Sequence, residues 1–373
     1  MMWFWSLLWC ALITSLIHAF FIGRMRLVTK TLTQVNSPKD KPGVSVVICA
    51  KNEALRLQGL IPAILSQNYP EFELLVVNDH SSDNTTQVLE FWQKKDARVR
   101  HVPFTSAGTD LAGKKAALSH GINRASHEIL LLTDADCLPS SVHWISQMTA
   151  PLSGGKSVVL GYGGYKKKPG VLNALIRFET TLTAGLYLGQ AIAGQPYMGV
   201  GRNLAYKKDF FLAQNGFATH KHLASGDDDL LINQGATGDN TAVILDPLAY
   251  TVSEPKQSWR SLFRQKRRHL TTAHFYRKPT KLFLGLYSGS IILFYALVLL
   301  LLLMTPFNVL VYAPLFTLFI LRCVFLIAGM KPIFKKFQTT DLGFWIPLLE
   351  PLLICLQLII FVRNRMSKPT HWN

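Results

Sequence analysis

The chain has 373 residues, 49% of them hydrophobic and only 16% charged, where an ordinary soluble domain carries roughly 25% charged side chains. Residues 1–23 contain no Asp, Glu, Lys or Arg, and three further apolar stretches fall in the last ninety residues, which excludes a wholly cytosolic enzyme, a small disulfide scaffold and a simple secreted protein. Lys and Arg number 39 against 22 Asp and Glu, a net charge of +17, and segment 24–281 alone holds 32 basic and 20 acidic residues.

Residues 1–22 form an aromatic-rich apolar run followed by Arg24, Arg26 and Lys30. A cleavable signal would carry its positive charge before the apolar core, so an uncleaved anchor is expected. Its basic C-terminal flank places the following domain on the cytoplasmic side. The same bias accounts for the surplus of positive charge, and no RNA- or DNA-recognition motif accompanies it, so no nucleic-acid partner is expected. The five cysteines are odd in number and widely spaced, which indicates neither a disulfide framework nor a zinc cluster.

A polar linker at 24–41 leads to a β-branched run at 44–50 that reads as a buried strand, with Lys51-Asn52-Glu53 as its loop. Helical spacing follows at 55–67, where Pro62 predicts a break. A strand at 72–77 ends in Asn78-Asp79. A helix at 83–95, a strand at 99–102, a helix at 114–125 and a strand at 128–133 ending in Asp134-Ala135-Asp136 complete the regular part. This alternation predicts an α/β domain with an open, mostly parallel sheet, and in such sheets ligands collect beyond the carboxyl ends of the strands. Further on, 157–165 is strand-like, 173–193 helical and 203–206 extended.

Three apolar runs close the chain. Residues 283–305 are long enough to span unaided, and Asn308 marks a turn before 309–328, where Arg322 lies near the cytoplasmic end. Residues 342–362 contain Pro347, Glu350 and Pro351 and precede Arg363 and Arg365. Four spans are expected, with three spans and one interfacial helix as the alternative, because the basic tail opposes the positive-inside bias if all four cross.

Three constellations carry chemistry. Asp134 and Asp136, one residue apart after a strand, can approach one hard cation such as Mg²⁺, or form a solvated turn. Gly226-Asp227-Asp228-Asp229 concentrates three carboxylates, whose repulsion raises the pKa of a member towards that of a general base; the same acids would also suit a helix N-terminus. Gln265-Lys266-Arg267-Arg268-His269 reads either as a juxtamembrane basic patch or as a clamp on a diphosphate. Between them, segment 196–206 offers Arg202 and Asn203 for phosphate or acceptor and Tyr197 and Met198 for the acceptor side, with ordinary turn packing as the other reading.

Taken in order, Val44 to Glu53, Val76-Val77-Asn78-Asp79, Lys114 after Gly113, Asp134-Ala135-Asp136 and the acidic run resemble the family 2 glycosyltransferases of GT-A fold, especially bacterial membrane-anchored members. The resemblance covers about 42–276. It implies a GT-A domain at 42–282 between the anchor at 1–23 and a C-terminal membrane region at 283–373. Ala50, Asn52, Glu53, Asp79, Lys114 and Asp134 would then contact the nucleotide sugar, Asp136 would hold Mg²⁺ or Mn²⁺, and Asp228 would be the catalytic base. Asp227 stands where many relatives have Glu. Gln265 and Arg268 match the Gln-x-x-Arg-Trp element that faces the donor phosphates, with His269 in place of Trp, which weakens the implication of a stacking sugar channel.

The reaction so implied is inverting transfer from a nucleotide-diphosphate sugar to a hydroxyl of a lipid-linked or envelope-glycan acceptor at the bacterial cytoplasmic membrane, with membrane lipids as surroundings. A processive polysaccharide synthase and a non-catalytic membrane scaffold are the alternatives.

Overall fold

A computed structural model describes residues 2–30, 41–105, 111, 113–223, 225–304 and 309–367. Most of the expected linker and the turn expected at Asn308 lie outside the described residues. In chain order the elements are α1 (Met2–Met25), β1 (Val44–Ala50), α2 (Ala54–Leu65), β2 (Phe72–Asp79), α3 (Thr85–Lys95), β3 (Val99–Phe104), α4 (Lys114–Arg124), β4 (Ile129–Leu132), β5 (Cys137–Pro139), α5 (Trp144–Ser153), β6 (Val158–Leu160), β7 (Gly163–Tyr165) and α6 (Val171–Ile192). They continue with β8 (Leu204–Lys207), α7 (Lys208–Ala213), α8 (Asp229–Gly235), β9 (Thr241–Val243), β10 (Thr251–Ser253), α9 (Trp259–His269), α10 (Lys278–Met304), α11 (Val309–Lys336) and α12 (Ile346–Met366).

Seven strands form one sheet in the order β3-β2-β1-β4-β8-β6-β9, and β5-β10-β7 form a second. Pairing is parallel from β3 through β4 and antiparallel on both sides of β8. The run at 157–165 is therefore two strands in different sheets.

The continuous apolar character of β1 and β2 has a physical cause: every residue in both is buried, because helices cover both faces of a parallel sheet. Side chains alternate between faces, so Val44, Val46 and Ile48 enter one core with α2 and α5, while Val47 and Cys49 enter the other with α4 and α6. Pro62 does not break α2. Leu57, Leu60, Ile61 and Ile64 are fully buried on the sheet, and burying several such side chains at about 1.5–3 kcal/mol each outweighs the roughly 3 kcal/mol cost of a helical proline.

Among the described residues, four helices are long and apolar enough to cross a membrane, within Met2–Thr29, Lys278–Met304, Tyr312–Lys336 and Thr340–Met366. Helix α1 joins the domain to this bundle by packing on α6, where a Cβ on Gly189 would lie 2.4 Å from the carbonyl oxygen of Arg24. The first three helices pack together through Phe4, Leu301 and Leu315, and again through Ala11, Phe294 and Leu297. Helix α12 contributes Ile346, Leu349 and Leu353 to the core that contains Tyr162, Phe178 and Tyr187 of the domain, which Phe21 and Met25 of α1 and Leu326 and Ile333 of α11 also enter.

Candidate active site

One cavity of about 580 Å³ opens at the carboxyl ends of the parallel strands, bounded by the acidic loop before α8, by α6 and α9, and by α12. The crossover from β1 into α2 supplies Lys51 and Glu53, the start of α4 supplies Lys114, and the end of β4 supplies Asp134 and Asp136. Lys51, Glu53 and Lys114 lie there because a parallel strand ends and the chain turns into a helix, and Asp134 and Asp136 because the chain leaves β4 for β5 of the second sheet.

Lys114 organises the centre. Its ammonium forms an ion pair with Asp134 and a second with Asp227 at 3.4 Å. Burial alone would raise the pKa of Asp134, but the charge and hydrogen bond of Lys114 hold it below the ordinary carboxylate range. The same partners outweigh burial at Lys114 and hold its pKa well above the usual value. The neighbouring Lys115 is buried and points the other way, donating to the carbonyl oxygens of His220 and, at 3.1 Å, of Ser225. Two consecutive lysines thus tie the first turn of α4 to both ends of the acidic loop.

The three aspartates of that loop are held differently. Asp227 pairs with Lys114. Asp229 accepts hydrogen bonds from the hydroxyls of Thr272 at 2.6 Å and Tyr276 at 2.7 Å and from the amide of Leu230 at 2.8 Å. Asp228 accepts from the amide of Gly201 at 2.7 Å on one oxygen and from the amide of Asp229 at 2.7 Å on the other. Burial, followed by the charges of Asp227 and Asp229, pushes its carboxyl up to about 8 despite these two donors. Gly226 precedes the run with φ of 105°, a backbone region open to glycine.

Asp134, Asp136 and Cys137 offer donor atoms within 4.8 Å of one another. The Cys137 sulfur lies 2.8 Å from the Ser253 hydroxyl, and burial, then the charges of Asp136 and Asp134, holds its pKa well above the usual value. A neutral thiol is a poor ligand. Two carboxylates remain, a hard oxygen set that fits a divalent cation such as Mg²⁺ or Mn²⁺.

Positive charge faces these carboxylates from several elements. Arg202 lies with its guanidinium 4.4 Å from the ring centre of Tyr165 and donates to the Gly164 carbonyl at 3.3 Å. Lys256, Arg264, Gln265, Lys266, Arg268 and His269 line the same cavity, and Lys266 pairs with Glu179 of α6 at 2.7 Å. On the membrane side the wall is made by Thr180 and Thr183 of α6 and by Leu356, Gln357 and Ile360 of α12.

Of the residues singled out in the sequence, Glu53, Lys114, Asp134, Asp136, Asp228, Gln265 and Arg268 line the cavity, whereas Ala50, Asn52 and Asp79 are not among its lining residues. Asn52 adopts φ of 58° and accepts from the amide of Ser82 at 2.8 Å, while its own amide donates to Ser81 at 3.0 Å. It locks the two strand-end loops together. Asp79 is buried with its carboxylate 2.8 Å from the ring nitrogen of His80.

In segment 196–206 the structure separates the alternatives. Arg202 and Met198 line the cavity. Asn203 is fully buried, holds the carbonyls of Tyr162 and Ala249, and accepts from the Trp144 indole. Tyr197 is packed between Tyr276 and Phe283.

Sequence reasoning missed Glu179, Lys256 and the wall formed by α12. Glu179 is the one acid in a mostly apolar helical pattern, two residues after Arg177, a signal that was legible. Of the α12 residues, Gln357 interrupts its apolar run and was legible too, while Leu356 and Ile360 carry no signal, since apolar side chains in an apolar run look alike.

The fold and site define the class: a GT-A domain with a mixed sheet, an acidic pair at the end of its fourth strand, and apolar helices near both ends of the chain. Residues 45–212 match the glycosyl transferase family 2 model. It is 33% identical over 139 residues to a poly-β-1,6-N-acetyl-D-glucosamine synthase of Staphylococcus epidermidis, a match covering 36% of this chain and 30% of the relative. It is 31% identical over 115 residues to glycosyltransferase AglE of Haloferax volcanii, covering 30% of this chain and 36% of that one.

The matched region thus spans about a third of the length of these curated relatives. Among solved structures, the mannosyltransferase PcManGT of Pyrobaculum calidifontis, in complex with GDP-Man and Mn²⁺, superposes with a TM-score of 0.62 at 18% identity, covering 97% of this chain and 99% of that one. That likeness extends the shared fold over nearly the whole chain.

Proposed function

We propose that this protein is an inverting, metal-dependent glycosyltransferase that moves a sugar from a nucleotide-diphosphate donor to a hydroxyl of a lipid-linked or glycan acceptor at the membrane, with its domain on the cytoplasmic face. The observation that carries the reading is Asp228. Both its oxygens are fixed by backbone amides and its proton affinity is raised to about 8, inside a cavity that also holds the Asp134–Asp136 pair and the basic face of α9. A carboxylate of that basicity suits removal of a hydroxyl proton near neutral pH.

Donor binding draws on the strand-end loops, with Ala50, Asn52, Glu53 and Asp79 shaping the nucleoside end and Lys114 and Asp134 beside the sugar diphosphate. Asp134 and Asp136 would hold a divalent cation, which supplies neutralisation of the diphosphate charge when bound. Arg268 and Gln265 of α9 approach the phosphates from the opposite side, and Arg202 adds positive potential where the leaving group gains charge.

Asp228 takes the acceptor proton as the acceptor oxygen bonds to the anomeric carbon. The bond from that carbon to the diphosphate oxygen breaks on the other face and carries its electron pair with it. Attack opposite the leaving group inverts the configuration.

The test uses membranes containing wild type, Asp136→Ala or Asp228→Ala, incubated with a panel of nucleotide sugars and extracted lipids, with products identified by mass spectrometry. A glycolipid formed by wild type and lost in both variants is expected; equal product from all three would overturn the mechanism. Products that lengthen on one acceptor without release would instead indicate a processive synthase.

A further inference from the structure

We propose that α12 lies in the plane of the membrane interface beneath the catalytic domain, with its outer face among the lipids of that leaflet and its inner face closing the acceptor end of the cavity. Only three helices, α1, α10 and α11, then cross the bilayer. The acceptor role rests on the reading above; the topology does not.

Both ends of α12 are fastened to the soluble domain. Just before its first turn, Asp341 receives a two-bond contact from Arg177 of α6 at 2.8 and 2.7 Å, and Thr339 meets Thr181 at 3.0 Å. At its last turn, Asn364 accepts from the Arg267 side chain at 2.8 Å and donates to the Arg267 carbonyl at 2.9 Å, which ties it to α9. Twenty-one helical residues extend about 31 Å, enough to cross a bilayer. A crossing helix of that length cannot have both ends on one side.

The packing agrees. Two apolar clusters join α1, α10 and α11 along their outer halves, and no residue of α12 is among their described members. The buried face of α12 joins the core where Tyr162, Phe178 and Tyr187 of the domain meet the inner ends of α1 and α11. Its opposite face carries Leu348, Ile359 and Val362, each between 56% and 58% exposed, an apolar strip that continues the lipid-facing surface of the bundle.

Glu350 explains how such a helix is held at that depth. It pairs with Arg322 of α11 at 2.7 Å, accepts from the Tyr295 hydroxyl of α10 at 2.7 Å, and lies 3.8 Å from His18 of α1. One buried carboxylate therefore fixes α12 against all three crossing helices. The arrangement also places Arg363 and Arg365 on the side of the chain's other basic flanks, as the charge bias of spanning segments requires.

The topology is read with the wild-type chain carrying a C-terminal tag, probed in sealed spheroplasts and after permeabilisation, beside an antibody to the soluble domain. Tag and domain are expected to become accessible together, only on permeabilisation; a tag exposed in sealed cells while the domain is protected would overturn the proposal. Depth is read by spin labels at Leu348→Cys or Ile359→Cys in a chain whose native cysteines are replaced by Ala. These positions are eleven residues apart, about 16 Å along a helix axis. Equal depths are expected, and a difference above about 10 Å would overturn the proposal.

If transfer is detected, Gln357→Leu should raise the acceptor KM at least fivefold with the donor KM unchanged. An unchanged acceptor KM would remove the wall function and leave the topology to the first two measurements, neither of which needs activity.

Discussion

Asp227, Asp228 and Asp229 have the same side chain, and their neighbours alone distinguish them. Lys114 neutralises the first and two hydroxyls engage the third, while the middle one meets backbone amides and two like charges. Replacing Asp228 by Asn is expected to lower kcat by about 10²–10⁴, the range for loss of a positioned base, with the donor Kd nearly unchanged by calorimetry. A base must be ionised to act. Wild-type kcat/KM should therefore fall about tenfold per pH unit below about 8 and level off above it.

Lys114 lowers the Asp228 pKa through its charge. Lys114→Met should move the acidic limb of that profile to higher pH, and a limb that stays in place would show that another group controls the rate. Lys115→Met removes the lysine donor of the Ser225 carbonyl, while the His220 carbonyl keeps the amide of Leu223. At about 1–3 kcal/mol for an unsatisfied buried group, a lower Tm is expected together with reduced activity.

At the scale of elements, close approach and charge compensation set the joints. Gly189→Ala would place a methyl against the Arg24 carbonyl, a backbone atom that cannot rotate away. A loss of about 1–3 kcal/mol is expected, read as a lower melting temperature in detergent. Arg322→Ala strands Glu350 among apolar helices. Removal of one partner of a buried pair costs about 3–5 kcal/mol, so membrane yield should fall sharply, and Arg322→Ala combined with Glu350→Gln should recover part of it.

Several elements were legible beforehand for a plain reason. The strands β1, β2 and β4 are buried on both faces, so their sequence is apolar throughout, and the turns that end them need polar residues. The short strands after Ser140 gave a weaker signal, because three-residue strands have too little periodicity to declare their sheet. Pro62 misled for the complementary reason, since burial on the sheet overrides local propensity.

Across the whole molecule, the sequence by itself determined what depends on composition and local order. Low charge located the apolar helices, the basic flank of α1 gave the expected orientation, and the ordered Lys114, Asp134, Asp136 and Asp228 marked the site, because each sits where a local chain turn must be polar. Only the tertiary structure decided what depends on long-range contact. It separated three adjacent aspartates, left Ala50, Asn52 and Asp79 out of the cavity lining, and brought Arg177 to Asp341 and Arg267 to Asn364. An apolar run of 21 residues has the same composition whether it crosses a bilayer or lies along its surface. The path is fixed by what the ends of the run touch, and those partners lie between 97 and 164 residues away in the chain.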